Sequence, residues 1–189
     1  MTTSIGIDIG GTNIHGILIS SDGRVIKRHR NKTQADKPTK RIISNIINTI
    51  DALVENNVVG IGLSIAGVVD KQGKFLFSPN IPSFKGLNIK NDLKKRFKIK
   101  VCQENDANCF AIAEHTYGAG KNRKSMVGLI VGTGIGGGII LEHKLYKGLH
   151  GFAGEFGHSI IDPSGPKCSC GLNGDFESLF SGHNIVKRY

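Results

Sequence analysis

Hydrophobic positions at the start of the chain fall into short runs separated by glycine-rich or Asx-rich turns. Residues 4–10, 13–20 and 24–30 read as three successive strands, with Ser21-Asp22-Gly23 as the second turn. The period then changes. Ile43, Ile46, Ile47, Ile50, Leu53 and Val54 recur at three- and four-residue intervals, which predicts an amphipathic helix over about residues 38–56. Residues 58–65 return to a buried strand, and Gly67-Val68-Val69-Asp70 turns the chain into a hairpin. Residues 71–84, with Pro79 and Pro82, read as loop. Leu87, Ile89, Leu93 and Phe97 then stand at near-helical spacing among the lysines of 85–100, followed by a short strand at 99–103.

Residues 105–117 form the next helical pattern, with Ala107, Phe110, Ala111 and Ala113 available to pack and Gly118 and Gly120 ending it. A second strand set follows at 125–131 and 138–142, on the same plan as the opening of the chain. Beyond Gly148 the sequence is irregular until a final helix over about residues 175–189. The expected organisation is an N-terminal lobe of residues 1–118 and a partial C-terminal lobe of residues 119–189, with the boundary in 118–124.

Two glycine-rich turns carry the chemistry. Asp8-Ile9-Gly10-Gly11-Thr12-Asn13 is the first, and Gly132-Thr133-Gly134-Ile135-Gly136-Gly137-Gly138 the second. Each follows an apolar run and leads into another, so each is a strand–turn–strand unit. Glycines let backbone N–H groups approach phosphate oxygens with no Cβ in the way. A facing pair of such units can hold the phosphates of one nucleotide, and two tight hairpins without a ligand are the alternative. Neither turn is a Walker A sequence, because no Gly-Lys-Ser/Thr follows. Neither opens a helix, as a dinucleotide fingerprint does.

Composition narrows the class. The chain has 189 residues, 39% hydrophobic and 21% charged, as a globular protein with one good core or two small ones would have. No apolar run approaches the roughly 20 residues of a membrane span, so no membrane partner is expected. The chain enters its first strand at once without a signal-peptide pattern, so the cytoplasm is the expected compartment. The net charge of +10 invites a nucleic-acid reading. Much of the excess lies on the solvated face of the 85–100 helix, however, without a recognition-helix or zinc-finger pattern, so no nucleic-acid partner is expected. The four cysteines argue for thiols or metal rather than disulfides. Cys102 and Cys109, in apolar runs, read as core thiols. His158, Cys168 and Cys170 make a zinc constellation, since structural zinc takes four N or S ligands.

The chain resembles the ROK family of sugar kinases and sugar-responsive repressors. The resemblance rests on Asp-Ile-Gly-Gly-Thr-Asn at 8–13, Ser-Pro-Asn at 78–80 and Glu-Asn-Asp-Ala-Asn at 104–108. It continues with Gly-Thr-Gly-Ile-Gly-Gly-Gly at 132–138, Gly-Glu-Phe-Gly-His at 154–158 and Cys-Ser-Cys-Gly-Leu-Asn-Gly-Asp-Phe-Glu-Ser at 168–178. It implies an α/β, actin-like (ribonuclease H-like) two-lobed fold whose second lobe is incomplete here, because full-length relatives continue past Tyr189. It also implies ATP-dependent phosphorylation of a hexose, with glucose first, N-acetylglucosamine or N-acetylmannosamine second and fructose third.

Asp106 would be the catalytic base, with a helix N-cap as its plain structural role. Asn80, Asn105, Asp106, Glu155, His158 and Glu177 would contact the sugar, although Asn80 also suits a turn after Pro79. Asp8 would position Mg²⁺ through water, while Gly6, Gly10, Gly11, Thr12, Asn13, Gly132, Thr133, Gly134, Gly136, Gly137 and Gly138 would line the ATP site. Zinc would take His158, Cys168, Cys170 and Asp175, the last standing where the family has a third cysteine. A carboxylate is a harder ligand and usually binds this ion less tightly. The family's Gly-x-Pro-Gly appears as Ser64-Ile65-Ala66-Gly67, and Phe84 stands where Trp is common. A complementing C-terminal segment or a homo-oligomer is the expected remedy for the short second lobe. The competing class is a sugar-sensing regulator or an inactive sugar-binding module. Repressor relatives carry a helix-turn-helix ahead of the first strand, for which this chain has no room.

Overall fold

Strands β1 (Thr3–Ile9) and β2 (Asn13–Ser20) alternate strictly, so Ile5, Ile7, Ile9, Ile14 and Leu18 are buried on one face of the sheet they form. That face is covered by helix α1 (Thr39–Asp51). Gly16 permits the close approach: a Cβ there would lie 2.6 Å from Leu53 Cδ1 and 2.8 Å from Thr49 Cγ2. Ile42, Ile46 and Ile50 form the buried ridge of α1, and full burial of each stabilises by about 1.5–3 kcal/mol. Asn45 and Thr49 are buried beside them, where the apolar periodicity gave no sign of a polar pair. The Asn45 amide donates to the carbonyls of Lys32 (3.0 Å) and Thr33 (3.3 Å), satisfying backbone that leaves the sheet.

In the computed structural model residues 2–70 and 72–188 are described, and the chain divides into two compact units, Met1–Asp106 and Ala107–Tyr189. The expected loop start at Lys71 and helix end at Tyr189 lie outside the described residues. In the first unit a five-stranded sheet runs in the order β3 (Val25–Lys32), β2, β1, β4 (Val58–Ile65), β7 (Lys100–Glu104). Strands β1, β2 and β3 pair antiparallel. Strands β4 and β7 continue from β1 in parallel. The hairpin after β4 pairs β5 (Val68–Val69) with β6 (Phe75–Phe77), and Phe75 packs on Phe84 at 5.6 Å between ring centroids.

The basic segment forms α2 (Ile89–Phe97). Asn88 caps its start by accepting from the Asn91 N–H at 3.1 Å, and Ile89 and Leu93 are buried while the lysines face solvent. Strand alternation corrects one expectation. Val101 is buried but its neighbour Cys102 is exposed, so Cys102 is not a core thiol, and Cys109 is only half-buried. No described helix is long and apolar enough to cross a membrane.

The second unit is built on α3 (Asp106–Tyr117) from its second residue onward and on an antiparallel sheet of β8 (Met126–Val131), β9 (Ile135–Leu141) and β10 (Lys144–Tyr146), in the order β10-β9-β8. Irregular chain follows, then α4 (Phe176–Phe180) and α5 (Gly182–Arg188). The expected single terminal helix is two helices, because Ser181 adopts an extended conformation with ψ 151°.

Candidate functional site

In the first unit the β1–β2 turn is held from below. The Gly10 N–H donates to the Asn13 carbonyl at 3.0 Å, and the Thr33 hydroxyl donates to the Gly10 carbonyl at 2.6 Å. Asp8, at the end of β1, is exposed, and its Oδ1 accepts from the Ser64 hydroxyl of the neighbouring strand at 2.8 Å. That leaves Oδ2 for the hydration shell of a cation. Gly11 stands against Asn80: a Cβ at position 11 would be 3.4 Å from Asn80 Cβ and 3.5 Å from the Asn80 carbonyl oxygen. Gly6 lies deeper in β1, where a Cβ would meet Ile17 at 3.3 Å. Thr12 is exposed at the tip, and Asn13 opens β2 with a buried side-chain oxygen that has no hydrogen-bond partner among the described residues. Asn105 and Asp106 follow β7, the Asn105 N–H donating to Glu104 Oε1 at 3.0 Å, and Asp106 begins α3 half-buried.

In the second unit the glycine segment does two different jobs. Gly132, Thr133 and Gly134 form the turn proper, closed by a 2.9 Å bond from the Gly132 N–H to the Gly134 carbonyl. Gly136, Gly137 and Gly138 lie inside β9. Side chains there would strike neighbours: Ala107 Cβ at 3.1 Å from position 136, Phe156 at 2.5 Å from 137 and Ala111 Cβ at 2.7 Å from 138. These three glycines let α3 and the 154–158 segment lie against the sheet.

Glu155 precedes a single 3-10 turn, Phe156–His158, that carries the histidine back toward the cysteine loop. The loop itself is a small hairpin, tied by the Cys168 N–H to the Leu172 carbonyl at 2.8 Å and by the Ile161 N–H to the Gly174 carbonyl at 2.8 Å. It brings together His158, Cys168, Cys170 and Asp175, whose candidate ligand atoms all lie within 4.8 Å of one another. His158 Nδ1 is 3.0 Å from Asp175 Oδ2 and 3.8 Å from Cys168 Sγ, and Cys170 Sγ is 3.5 Å from Asp175 Oδ2. Zinc–sulfur bonds of about 2.3 Å and zinc–nitrogen bonds of about 2.0–2.1 Å set tetrahedral edges of roughly 3.3–3.8 Å. The 3.5 and 3.8 Å distances fall within that range and the 3.0 Å one just below it, and two thiols, an imidazole and a carboxylate suit zinc chemically.

Asp175 is fully buried and does more than face the cluster. Its Oδ1 accepts from the Ser178 N–H at 2.7 Å, capping α4. Burial pushes its carboxyl up, but hydrogen bonds from Cys168, His158 and Ser178 outweigh this and hold it well below the usual carboxylate range. Burial, with the hydrogen bond to Asp175, pushes the Cys168 thiol up to about 11. Glu177 turns its carboxylate to the glycine turn, Oε2 accepting from the Ile135 N–H at 2.8 Å. Sequence reasoning missed Thr33, Ser64 and Ser178 as supports. Only Ser178 had a local signal, the Asp-x-x-Ser spacing of an N-capped helix.

The ROK family profile matches residues 4–189. A glucokinase from Thermotoga maritima is 36% identical over 98% of the chain and 59% of its own length. A xylose repressor from Bacillus spizizenii is 36% identical over 97% of the chain and 49% of its own length. The crystal structure of a ROK family glucokinase from Streptomyces griseus, in complex with glucose and AMPPNP, superposes with a TM-score of 0.84 at 35% identity. It is matched over 98% of this chain and 59% of that one. The chain thus spans between about half and three-fifths of the length of these relatives, with the actin-like ATPase fold of the ROK sugar kinases. By motif order, fold and similarity along nearly its whole length, the chain belongs to the ROK family.

Proposed function

We propose that this chain carries the phosphate-, sugar- and base-bearing parts of an ATP-dependent hexose kinase. The observation that carries the reading is Gly11 standing against Asn80. A turn suited to phosphate and an amide suited to sugar hydroxyls lie side by side, as transfer between the two ligands requires. Asn80, Asn105, Glu155, His158 and Glu177 supply the donors and acceptors a sugar needs. The backbone N–H groups of Gly11 and Thr12 in the first turn and of Thr133 and Gly134 in the second hold the ATP phosphates. Asp106 accepts the proton of the attacking hydroxyl as its oxygen bonds to the γ-phosphorus and the bond to the departing ADP oxygen breaks. Mg²⁺ neutralises phosphate charge when bound, and Asp8, steadied by Ser64, would hold its hydration shell.

The donor set at 158–175 fits zinc, which would cross-link a loop with little apolar content of its own. His158 then faces the metal through Nδ1, leaving its other ring nitrogen for sugar. A complementing C-terminal polypeptide or a second copy of the chain would complete the second lobe.

The similarity to xylose repressors supports a second reading, a sugar-binding regulator without transfer activity. A coupled assay with glucose, N-acetylglucosamine, N-acetylmannosamine and fructose, on the chain completed with a C-terminal segment from a glucokinase relative, separates the two. Turnover lost in Asp106→Asn with sugar binding retained supports the kinase. Sugar binding without any turnover supports the regulator. Full activity in Asp106→Asn removes the proposed base, since an amide cannot take that proton.

A further inference from the structure

We propose that Asp175 is a positioning residue that couples metal occupancy at the 158–175 cluster to the shape of the second glycine turn, acting through α4 and Glu177. The inference rests on the metal and phosphate readings above and adds a mechanical link between them.

The link is a chain of contacts within one unit. Asp175 Oδ2 faces His158 Nδ1 at 3.0 Å and Cys170 Sγ at 3.5 Å, while Oδ1 receives the Ser178 N–H at 2.7 Å. The Ser178 hydroxyl closes the cap by donating to the Asp175 carbonyl at 3.0 Å. Between the two lies Glu177, which reaches out of the helix to the Ile135 N–H at 2.8 Å. Just past the helix, the Gly182 N–H donates to the Gly132 carbonyl at 2.8 Å. The turn is therefore gripped at both ends by α4 and the residue that starts α5.

A carboxylate makes this possible. Its two oxygens serve the metal and the helix separately, whereas a cysteine at position 175 has one sulfur, a weak acceptor, to serve both. Because Asp175 is fully buried, water cannot substitute for either partner. Fixing Oδ2 on an ion therefore fixes the direction of Oδ1, the first turn of α4 and the reach of Glu177.

Amide hydrogen exchange on the full chain, with and without zinc chloride, tests the coupling against elemental analysis of bound metal. In the wild type, zinc at one equivalent is expected to slow exchange in residues 132–135 and 176–182 at least tenfold. Asp175→Cys should bind zinc as tightly or more tightly but lose most of that slowing, because a sulfur held on the metal is only a weak acceptor for the Ser178 N–H. Asp175→Asn should keep the cap and lose the metal. Glu177→Ala should keep zinc and the protection of 176–182 while 132–135 stop responding, and Glu177→Gln, still an acceptor, should restore the response. Zinc bound at one equivalent with no change at 132–135 overturns the coupling and leaves the metal reading standing, as does full coupling in Glu177→Ala. A wild-type chain that takes up no zinc overturns both.

Discussion

Glu177 Oε2 accepts the Ile135 N–H at 2.8 Å and occupies the space next to Gly134, where a Cβ would come within 2.5 Å of it. A residue expected to bind sugar is thus also the brace of the second glycine turn. The two roles are compatible, since an ionised carboxylate offers about four acceptor positions and the turn uses one.

Gly134→Ala should therefore break the brace. Loss of a hydrogen bond to a charged group costs about 1.5–3 kcal/mol, readable as a lower urea midpoint with an unchanged slope. Gly132→Ala is the control, because a Cβ at Gly132 has nothing within 4 Å. Its stability should stay within about 0.5 kcal/mol of wild type. If the turn holds phosphate, Gly132→Ala should nonetheless weaken Mg-ATP binding, by crowding the approach of phosphate to the backbone.

Gly138→Ala tests the packing role of the β9 glycines. The added methyl would meet Ala111 Cβ at 2.7 Å and the Ala107 carbonyl at 2.9 Å, so α3 must move off the sheet. Overpacking of this kind costs about 1–3 kcal/mol. Thermal melts should show it, and an unchanged melting temperature would mean that α3 does not lie on β9 as described.

This division within one run of glycines was not legible in the sequence. Glycines that admit phosphate and glycines that admit a helix look alike, and what separates them is Phe156, Ala107 and Ala111, residues distant in sequence or hidden in another element. The elements themselves were far more legible. Strands β2 and β4 begin and end where their apolar runs do, because strand alternation and glycine punctuation are local. Helix α1 was legible at its start, though it ends at Asp51 and not near 56, and its buried polar pair was not: Asn45 donates to the carbonyls of Lys32 and Thr33, and the Thr49 hydroxyl to the Asn45 carbonyl. The break at Ser181 was equally hidden. The metal cluster was readable as residue types and spacing, yet the second job of Asp175, capping α4, emerged only with the geometry.

The cluster predicts a pH dependence. In metal-free protein the depressed Asp175 carboxyl contributes stability that is complete above its ordinary value of 3.8 and is lost as pH falls through the lower folded value. The raised Cys168 thiol works in the opposite sense: its contribution is complete below the ordinary value of 9.0 and is lost as pH rises toward about 11. Asp175→Asn should flatten the acid limb of a stability–pH curve, and Cys168→Ser the alkaline limb. Because zinc requires the thiolate, its affinity should climb about tenfold per pH unit for each thiol proton released, measured by competition with a chelator between pH 6 and 9.

The face of β8 that turns away from α3 is apolar and exposed. Gly128 on the inner face is buried, and a Cβ there would lie 3.3 Å from Phe110 and Ala111, whereas Val127, Leu129 and Val131 alternate outward, 54%, 45% and 60% exposed. Leu141 on β9 adds to the same face at 45% exposure, and among the described residues β8 is an edge strand with one side of its ladder unpaired. An apolar face beside an open edge is a template for association. Residues 1–189 on their own should therefore self-associate as concentration rises, and should turn over sugar inefficiently if closure around ATP needs more of the second lobe. Leu129→Lys, exposed in the free unit, should leave the melting temperature within a few degrees while shifting sedimentation toward monomer. A C-terminal polypeptide supplied in trans should compete with self-association and raise turnover. A monodisperse monomer at every concentration, with micromolar Mg-ATP binding and full turnover, would show that this face needs no cover and that the chain closes its site unaided.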